Sequence, residues 1–272
     1  MKRQEQDQRI FEKLTRLLDK KEALPTFPSQ LVLWIGQFFV GTPYKVGTLE
    51  TKGAEHLVVN LRELDCITFV ETVVALAWHA RFREKSFEEF QRLLRKIRYR
   101  QGRLQGYSSR LHYVSDWIHD NQKKGFVRDV TAEIGGRPFR KTINFMTTNP
   151  DLYPPLRNAA NLRRMKSIER TISKRSHFFI PKKALKRSED RIRDGDLIGI
   201  TTSTEGLDVQ HVGIAARLKN RIHLLHASSK EGKVAVSKDT LYRYLMKNRA
   251  RSGIMVVRIN PSLICSPLET VL

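Results

Sequence analysis

The run Leu64-Asp65-Cys66-Ile67-Thr68-Phe69-Val70-Glu71-Thr72-Val73-Val74-Ala75-Leu76-Ala77-Trp78 constrains this chain more than any other stretch. Its apolar side chains are too continuous for one strand, and no Gly or Pro breaks them, which predicts a buried helix. Asp65 then takes the N-cap, where its carboxylate accepts from an unpartnered first-turn amide, and Cys66 becomes the first helical residue. A thiol there lies at the positive end of the helix dipole, among amides that have no intrahelical acceptor. Both features predict a thiolate, the state of a nucleophile. Taken alone, however, a Cys in an apolar helix reads equally well as a small buried hydrophobe.

A chain of 272 residues with 40% apolar content can bury a real core. No apolar run reaches the roughly 18 residues of a membrane-spanning helix, so no transmembrane segment is expected. The N-terminus is basic with no apolar stretch behind it; the expectation is no secretory signal, hence a cytoplasmic chain or a mature, trimmed form. The net charge of +22 brings in nucleic acid, anionic membrane or an acidic polymer as partners. It peaks between Arg157 and Arg187, where Glu169 is the sole acid. Zinc-finger spacing, a phosphate-binding loop and an aromatic sheet signature are all missing, which argues against specific nucleic-acid recognition. No His-Glu-x-x-His or comparable cluster occurs, so neither metal nor cofactor is expected. Two cysteines, Cys66 and Cys265, make no disulfide framework, and Cys265 is expected to be an inert thiol.

Along the chain, Ile10, Leu14, Leu17 and Leu18 predict an opening amphipathic helix that ends before Pro25 and Pro28. Ser29 is expected to cap a second helix closed by Gly41. A turn-rich link leads to a short strand at Leu57 to Leu61 and then to the Cys66 helix. Ser86-Phe87-Glu88-Glu89 has capping-box form and opens another helix. Further helices follow, one from the Arg110 to Ile118 segment to Gly125 and a basic one from about Leu156 to Lys174. From Ser176 onward short β-rich runs take over, interrupted by a helix around Leu241 to Met246, with a hairpin turn at Lys219-Asn220. Helices first and an antiparallel sheet last predict an α+β fold.

The sheet carries the second half of the chemistry. His211 opens one strand, His226 closes the next, and the turn between them pairs those strands, so both imidazoles can share one region of the sheet. A thiolate that attacks an amide carbonyl needs an imidazole to protonate the departing amine and a third polar group to orient that imidazole. Cys66, His211 and His226 are the candidates, with Asp208 competing for the orienting role. Amides at the start of the Cys66 helix are expected to meet the oxyanion.

The ordered motifs Gly41-Thr42-Pro43-Tyr44-x-x-Gly47, Asp65-Cys66-x-x-Phe69-Val70, Gly195-Asp196-Leu197-Ile198 and His211-Val212-Gly213-Ile214 resemble those of the NlpC-type, papain-like cell-wall cysteine hydrolases. Asn60-Leu61-Arg62-x-x-Asp65-Cys66-x-Thr68-Phe69-Val70-Glu71, Arg110-Leu111-His112-Tyr113-x-Ser115-Asp116-Trp117 and His226-Ala227-Ser228 resemble one branch, the N-acetylmuramoyl-L-alanine amidase-like family. The resemblance spans about Ile35 to Ile259. It implies one papain-like domain over 1–272, with a helical extension over about 1–28 and a helical insertion over about 86–175. It also implies a Cys66-His211-His226 triad acting through a thioester, and Tyr44 and Asp65 as oxyanion or substrate contacts. Arg110, His112, Tyr113, Asp116 and Trp117 become candidates for substrate binding, Tyr113 and Trp117 against a sugar and Arg110 against a carboxylate. A helix start that uses Ser115 as a cap and buries Trp117 stands level with that reading.

The implied partners are peptidoglycan fragments or muropeptides in a periplasmic or cell-envelope setting, and the basic surface suits an anionic polymer. A γ-D-glutamyl-diamino acid endopeptidase is the alternative within the class. A non-catalytic polyanion-binding protein is the alternative outside it.

Overall fold

The apolar run becomes helix α3 (Cys66–His79), in which residues 68 to 79 are all buried. A helix buried on every side needs neighbours on every side. They are α2 (Pro28–Phe38), α4 (Phe87–Arg98) and the middle of an antiparallel sheet, with α1 (Lys2–Asp19) adding Phe11, Leu14 and Leu18 to the same core. The computed structural model describes residues 2–20, 25, 27–51, 53–81 and 86–260; Cys265 lies outside them.

The sheet comprises β1 (Val127–Asp129), β2 (Arg137–Phe139), β3 (His177–Pro181), β4 (Leu197–Thr202), β5 (Val209–Leu218), β6 (Arg221–Ser228), β7 (Lys233–Thr240) and β8 (Arg251–Ile259). Its order is β2-β3-β8-β4-β5-β6-β7, with β1 also on β8, and every pairing is antiparallel. Strand residues alternate between two cores. Leu197, Ile214, Leu225 and Val257 join the α3 side, while Ile198, Ala215, Leu224 and Val256 join Leu185 of α8 (Leu185–Ser188) and Leu241 and Leu245 of α9 (Leu241–Met246). Burial on both faces explains why these strands read as nearly continuous apolar runs. A third cluster joins Tyr107 and Tyr113 to Met146 of α6 (Phe145–Thr148) and Met165 and Ile172 of α7 (Ala159–Ser173). Helix α5 (Val114–Lys123) follows Tyr113 directly in the chain. The α+β class expected from the sequence is the class observed.

Local signals held where the chemistry was local. Lys219 and Asn220 both take positive φ, +46° and +63°, as a two-residue hairpin between right-twisted strands requires. Two expectations fail. Ser29 does not cap α2: Phe27 is the N-cap, Pro28 fills the first helical position, and Ser29 is buried one place further in. Its carbonyl lies where a Cβ on Gly195 would fall, 1.7 Å away, so the glycine of the Gly195-Asp196 motif is there for close approach. Residues 57–61 form no strand either. Their backbone groups are taken by side chains instead: Leu61 N–H donates to Asp7 at 2.8 Å, and the Arg98 guanidinium donates to the Val58 carbonyl.

That same Arg98 donates through Nε to Glu71 at 2.7 Å, and both side chains are 2% exposed. The pair ties α3 to α4 and to the irregular segment before the Cys66 helix. Removing one partner of a buried ion pair strands the other charge, so Arg98→Ala should lose about 3–5 kcal/mol of stability, as read by urea denaturation. A loss near that of an ordinary surface substitution would contradict this account.

Candidate active site

Asp65 sits at the N-cap with extended backbone, φ −95° and ψ −178°. Its Oδ1 accepts from Thr68 N–H at 2.8 Å, and Thr68 Oγ1 accepts from Asp65 N–H at 2.9 Å, a reciprocal capping box. The third amide of the helix is thereby satisfied, and those of Cys66 and Ile67 remain. Both lie where they favour negative charge at the Cys66 sulfur, as does the amide of Val212 on β5. The residue keeps partial exposure while its sulfur is packed among protein atoms.

The thiolate expected from the sequence is not the resting state. Burial pushes the Cys66 thiol up to about 12, the Asp65 carboxylate adds to the rise, and the three amides only partly oppose it. Helix-end amides favour an anion, but taking the sulfur out of water and placing it beside a carboxylate outweighs them.

The β5–β6 register pairs Ile214 with Leu225, so His211 and His226 are offset by two positions rather than directly opposed. Their rings meet edge to face, with His211 Nε2 2.6 Å from His226 Nδ1. That contact leaves Nδ1 as the other nitrogen of His211. Tyr244 of α9 packs on both rings, with centroids 6.4 Å from His211 and 5.6 Å from His226, and the Arg251 guanidinium lies 3.8 Å over the Tyr244 ring. Burial lowers His211 to about 3, helped by His226 and Arg251, and lowers His226 to about 4, helped by Arg251. Near neutral pH both imidazoles are uncharged.

Cys66 and His211 line one cleft of about 240 Å³ together with Gln210 and Val212. His226 does not line it; it stands against His211 and faces a second cavity. Asp208, the competing orienter, is spent elsewhere: buried, it accepts from Ser115 N–H at 2.7 Å and from its neighbour Val209 N–H at 2.7 Å, anchoring the first turn of α5. Ser115 is therefore capped by a distant carboxylate and is not itself the cap; Tyr113 is the N-cap residue.

The remaining candidates divide. Tyr44 is held beside the helix start because Tyr44 N–H donates to the Gly232 carbonyl and Leu64 N–H to that of Pro43. Its hydroxyl is pushed above the usual range by burial, then by Cys66 and Asp65. Asp65 lines the cleft, but its Oδ1 is committed to Thr68 and its charge opposes a neighbouring anion, which corrects its expected oxyanion role. Arg110 and His112 do reach the cleft. Arg110 donates to the Leu49 carbonyl at 2.9 Å and to Glu50 at 2.5 Å, while the His112 ring packs at a tilt against Tyr107 with centroids 4.4 Å apart.

Tyr113, Asp116 and Trp117 point inward and cannot face a sugar. Tyr113 donates to Glu169 at 2.7 Å, Asp116 pairs with Arg100 and Arg175 at 2.7 Å each, and Trp117 is 2% exposed. Missed by the sequence reading were Gln210, Tyr244 and Arg251. The spacing of Tyr244 from Leu241 marks it as core-facing, but no local signal says that it meets two histidines. Among the described residues, no group of three or more His, Cys, Asp or Glu is placed to hold a metal ion.

His112 also carries a pH consequence. Burial, then Arg110, lowers it to about 3, although the Tyr107 carbonyl opposes this. An unfolded imidazole binds its proton below about 6.5. Stability contributed by the neutral ring is thus present above that value and lost as pH falls from there toward the folded value. The drop in urea midpoint between pH 7 and pH 5 should be smaller in His112→Gln than in the wild type; equal drops would contradict this.

The model of a family described as N-acetylmuramoyl-L-alanine amidase-like matches residues 34–254. The crystal structure of an N-acetylmuramoyl-L-alanine amidase from Bacteroides uniformis is 41% identical, with a TM-score of 0.82 over 85% of this chain and 98% of that one. A Bacteroides fragilis structure named as a proposed xylanase is 42% identical, with a TM-score of 0.80 over 83% and 100%. A Legionella pneumophila protein at 23% identity and a TM-score of 0.71, over 95% and 96%, shares the fold. Among curated proteins, none matches.

Proposed function

The chain belongs to the N-acetylmuramoyl-L-alanine amidase-like family, and from that footing we propose that it is a cysteine hydrolase of peptidoglycan fragments built on an NlpC-type, papain-like core. The bond is the amide between the lactyl group of N-acetylmuramic acid and L-alanine, and a wall substrate calls for a cell-envelope setting. The extension over about 1–28 and the insertion over about 86–175 are additions to that core. One observation carries the reading: Cys66 and His211 share a cleft, and His211 is hydrogen-bonded to His226.

The reaction follows from the resting charges. A neutral thiol beside a neutral imidazole has to lose its proton as it attacks. The S–H proton passes to His211 Nδ1 while the sulfur bonds to the carbonyl carbon and the π pair moves to oxygen. His211 Nε2–H donates to His226 Nδ1, which holds the tautomer and spreads the new positive charge. The oxyanion is received by the Cys66 and Ile67 amides and by Tyr44, whose raised hydroxyl remains a donor. Collapse breaks the C–N bond, and the amine leaves with the proton from His211. Water, deprotonated by His211, then hydrolyses the thioester and restores the thiol.

The xylanase name of the Bacteroides fragilis relative fits these residues less well. Glycoside hydrolysis needs two available carboxyl groups flanking the bond. Of the carboxylates around this cleft, Glu50 is tied to Arg110, Asp65 to Thr68 and Glu71 to Arg98.

Mass spectrometry of muropeptides should find intact stem peptide and free N-acetylmuramic acid after incubation with wild type, and neither with Cys66→Ala. A muramoyl dipeptide product would instead identify the γ-D-glutamyl endopeptidase, and stem release by the variant would end the cysteine reading. His211→Ala should lower kcat by about 10²–10⁴-fold. Since His211 remains an unprotonated base well below the usual 6.5, the acid limb of kcat/KM should fall below about pH 5. A limb at the ordinary imidazole value would contradict that.

A further inference from the structure

The cleft beside Cys66 is one of two cavities that meet at His211. The second, about 550 Å³, shares Gln210 and His211 with the first and is bounded by His226, Tyr244 and the ends of β6 and β7. Their charges are opposite. Of the acids that line the Cys66 cleft, Glu50 is paired with Arg110 and Glu71 with Arg98, which leaves the Asp65 carboxylate without an ion pair among the described residues. The second cavity is lined by Lys230, Lys238, Lys247 and Arg251 against Glu231 and Asp239. Lys247 is paired with Asp239, while Arg251 keeps a buried Nε without an acceptor among the described residues. Lys230 and Lys238 are exposed. The two cavities also belong to one reaction centre, because Tyr244, which lines the second, packs on the ring of His211, which lines both.

An N-acetylmuramoyl peptide has the same asymmetry. Its lactyl carboxyl is consumed in the amide, so the sugar side carries hydroxyls and an N-acetyl group and no charge. Beyond L-alanine, the free carboxylates of D-glutamate and of the diamino acid outnumber the one free ammonium of the latter, so the stem is net acidic. A cleft with excess negative charge repels such a stem, and a cavity with excess positive charge attracts it.

Resting on the amidase reading above, we propose that the cavity on the far side of His211 is the stem-peptide subsite, with Lys230 and Lys238 receiving its carboxylates, and that the neutral sugar occupies the carboxylate-lined cleft beside Cys66. The scissile amide then crosses the sulfur at the junction of the two cavities, with the leaving amine directed toward the histidine side. Specificity follows for stems that are acidic beyond the first residue. Two exposed charge pairs together change selectivity by about tenfold.

The test measures kcat/KM on N-acetylmuramoyl-L-alanine and on the N-acetylmuramoyl tripeptide ending in the diamino acid, for wild type and for Lys230→Ala/Lys238→Ala. The expected result is a tripeptide-to-monopeptide ratio that falls about tenfold in the variant. In the wild type the same ratio should fall as salt is raised, because exposed pairs are screened. An unchanged ratio in protein that cleaves both substrates overturns the subsite and leaves the amidase reading standing. A wild type that leaves both substrates whole overturns the amidase reading and the subsite with it.

Discussion

Everything at this site depends on the reciprocal cap between Asp65 and Thr68. It fixes where α3 begins, makes Cys66 the first residue inside the helix, and satisfies the third amide while the first two stay turned to the sulfur. The same cap sets a carboxylate beside the thiol, and that charge works against ionisation. The fold thus stabilises the helix start with a group unhelpful to a free thiolate. A sulfur so placed is better served by a neighbouring base than by the helix dipole.

The sheet supplies that neighbour through scaffolding contacts far from the sulfur. Gly195 admits the Ser29 carbonyl, so α2 lies directly on the start of β4. Asp196 accepts from Arg258 through both oxygens, at 2.7 Å and 2.8 Å, and locks β4 to β8. Asp208 secures the first turn of α5 just ahead of β5. These acidic and glycine residues lie near the histidines in sequence, yet their side chains serve the frame. The imidazoles are oriented mainly by each other and by Tyr244.

His211 is then the hinge of the charge pattern as well as of the histidine pair, with excess carboxylate on one side and excess ammonium and guanidinium on the other. The overall charge of +22 says nothing about this division. Arg110 shows how little a charge count predicts: it is one of the more basic-looking features of its segment, but Glu50 and Glu55 surround it.

What the sequence by itself determined was local. The Asp65 cap and the helix behind it, the turn at Lys219 and Asn220, and the helix from Leu241 to Met246 rest on hydrogen bonds and dihedral preferences within four or five residues, and these were legible in full. The pairing of His211 with His226 was half legible, because strand order is local but the two-position offset comes from the register. What only the tertiary structure decided was everything set by distant partners. Residues 57–61 have strand-like side chains, but Asp7 and Arg98 take their backbone groups before any strand can. Tyr113 and Trp117 have the surfaces of sugar-binding residues, but a third apolar cluster and the main core enclose them. The protonation state of Cys66 went the same way. Helix position favours the anion and can be read from the sequence, whereas desolvation depends on what the rest of the chain packs around the sulfur, and desolvation is the larger effect.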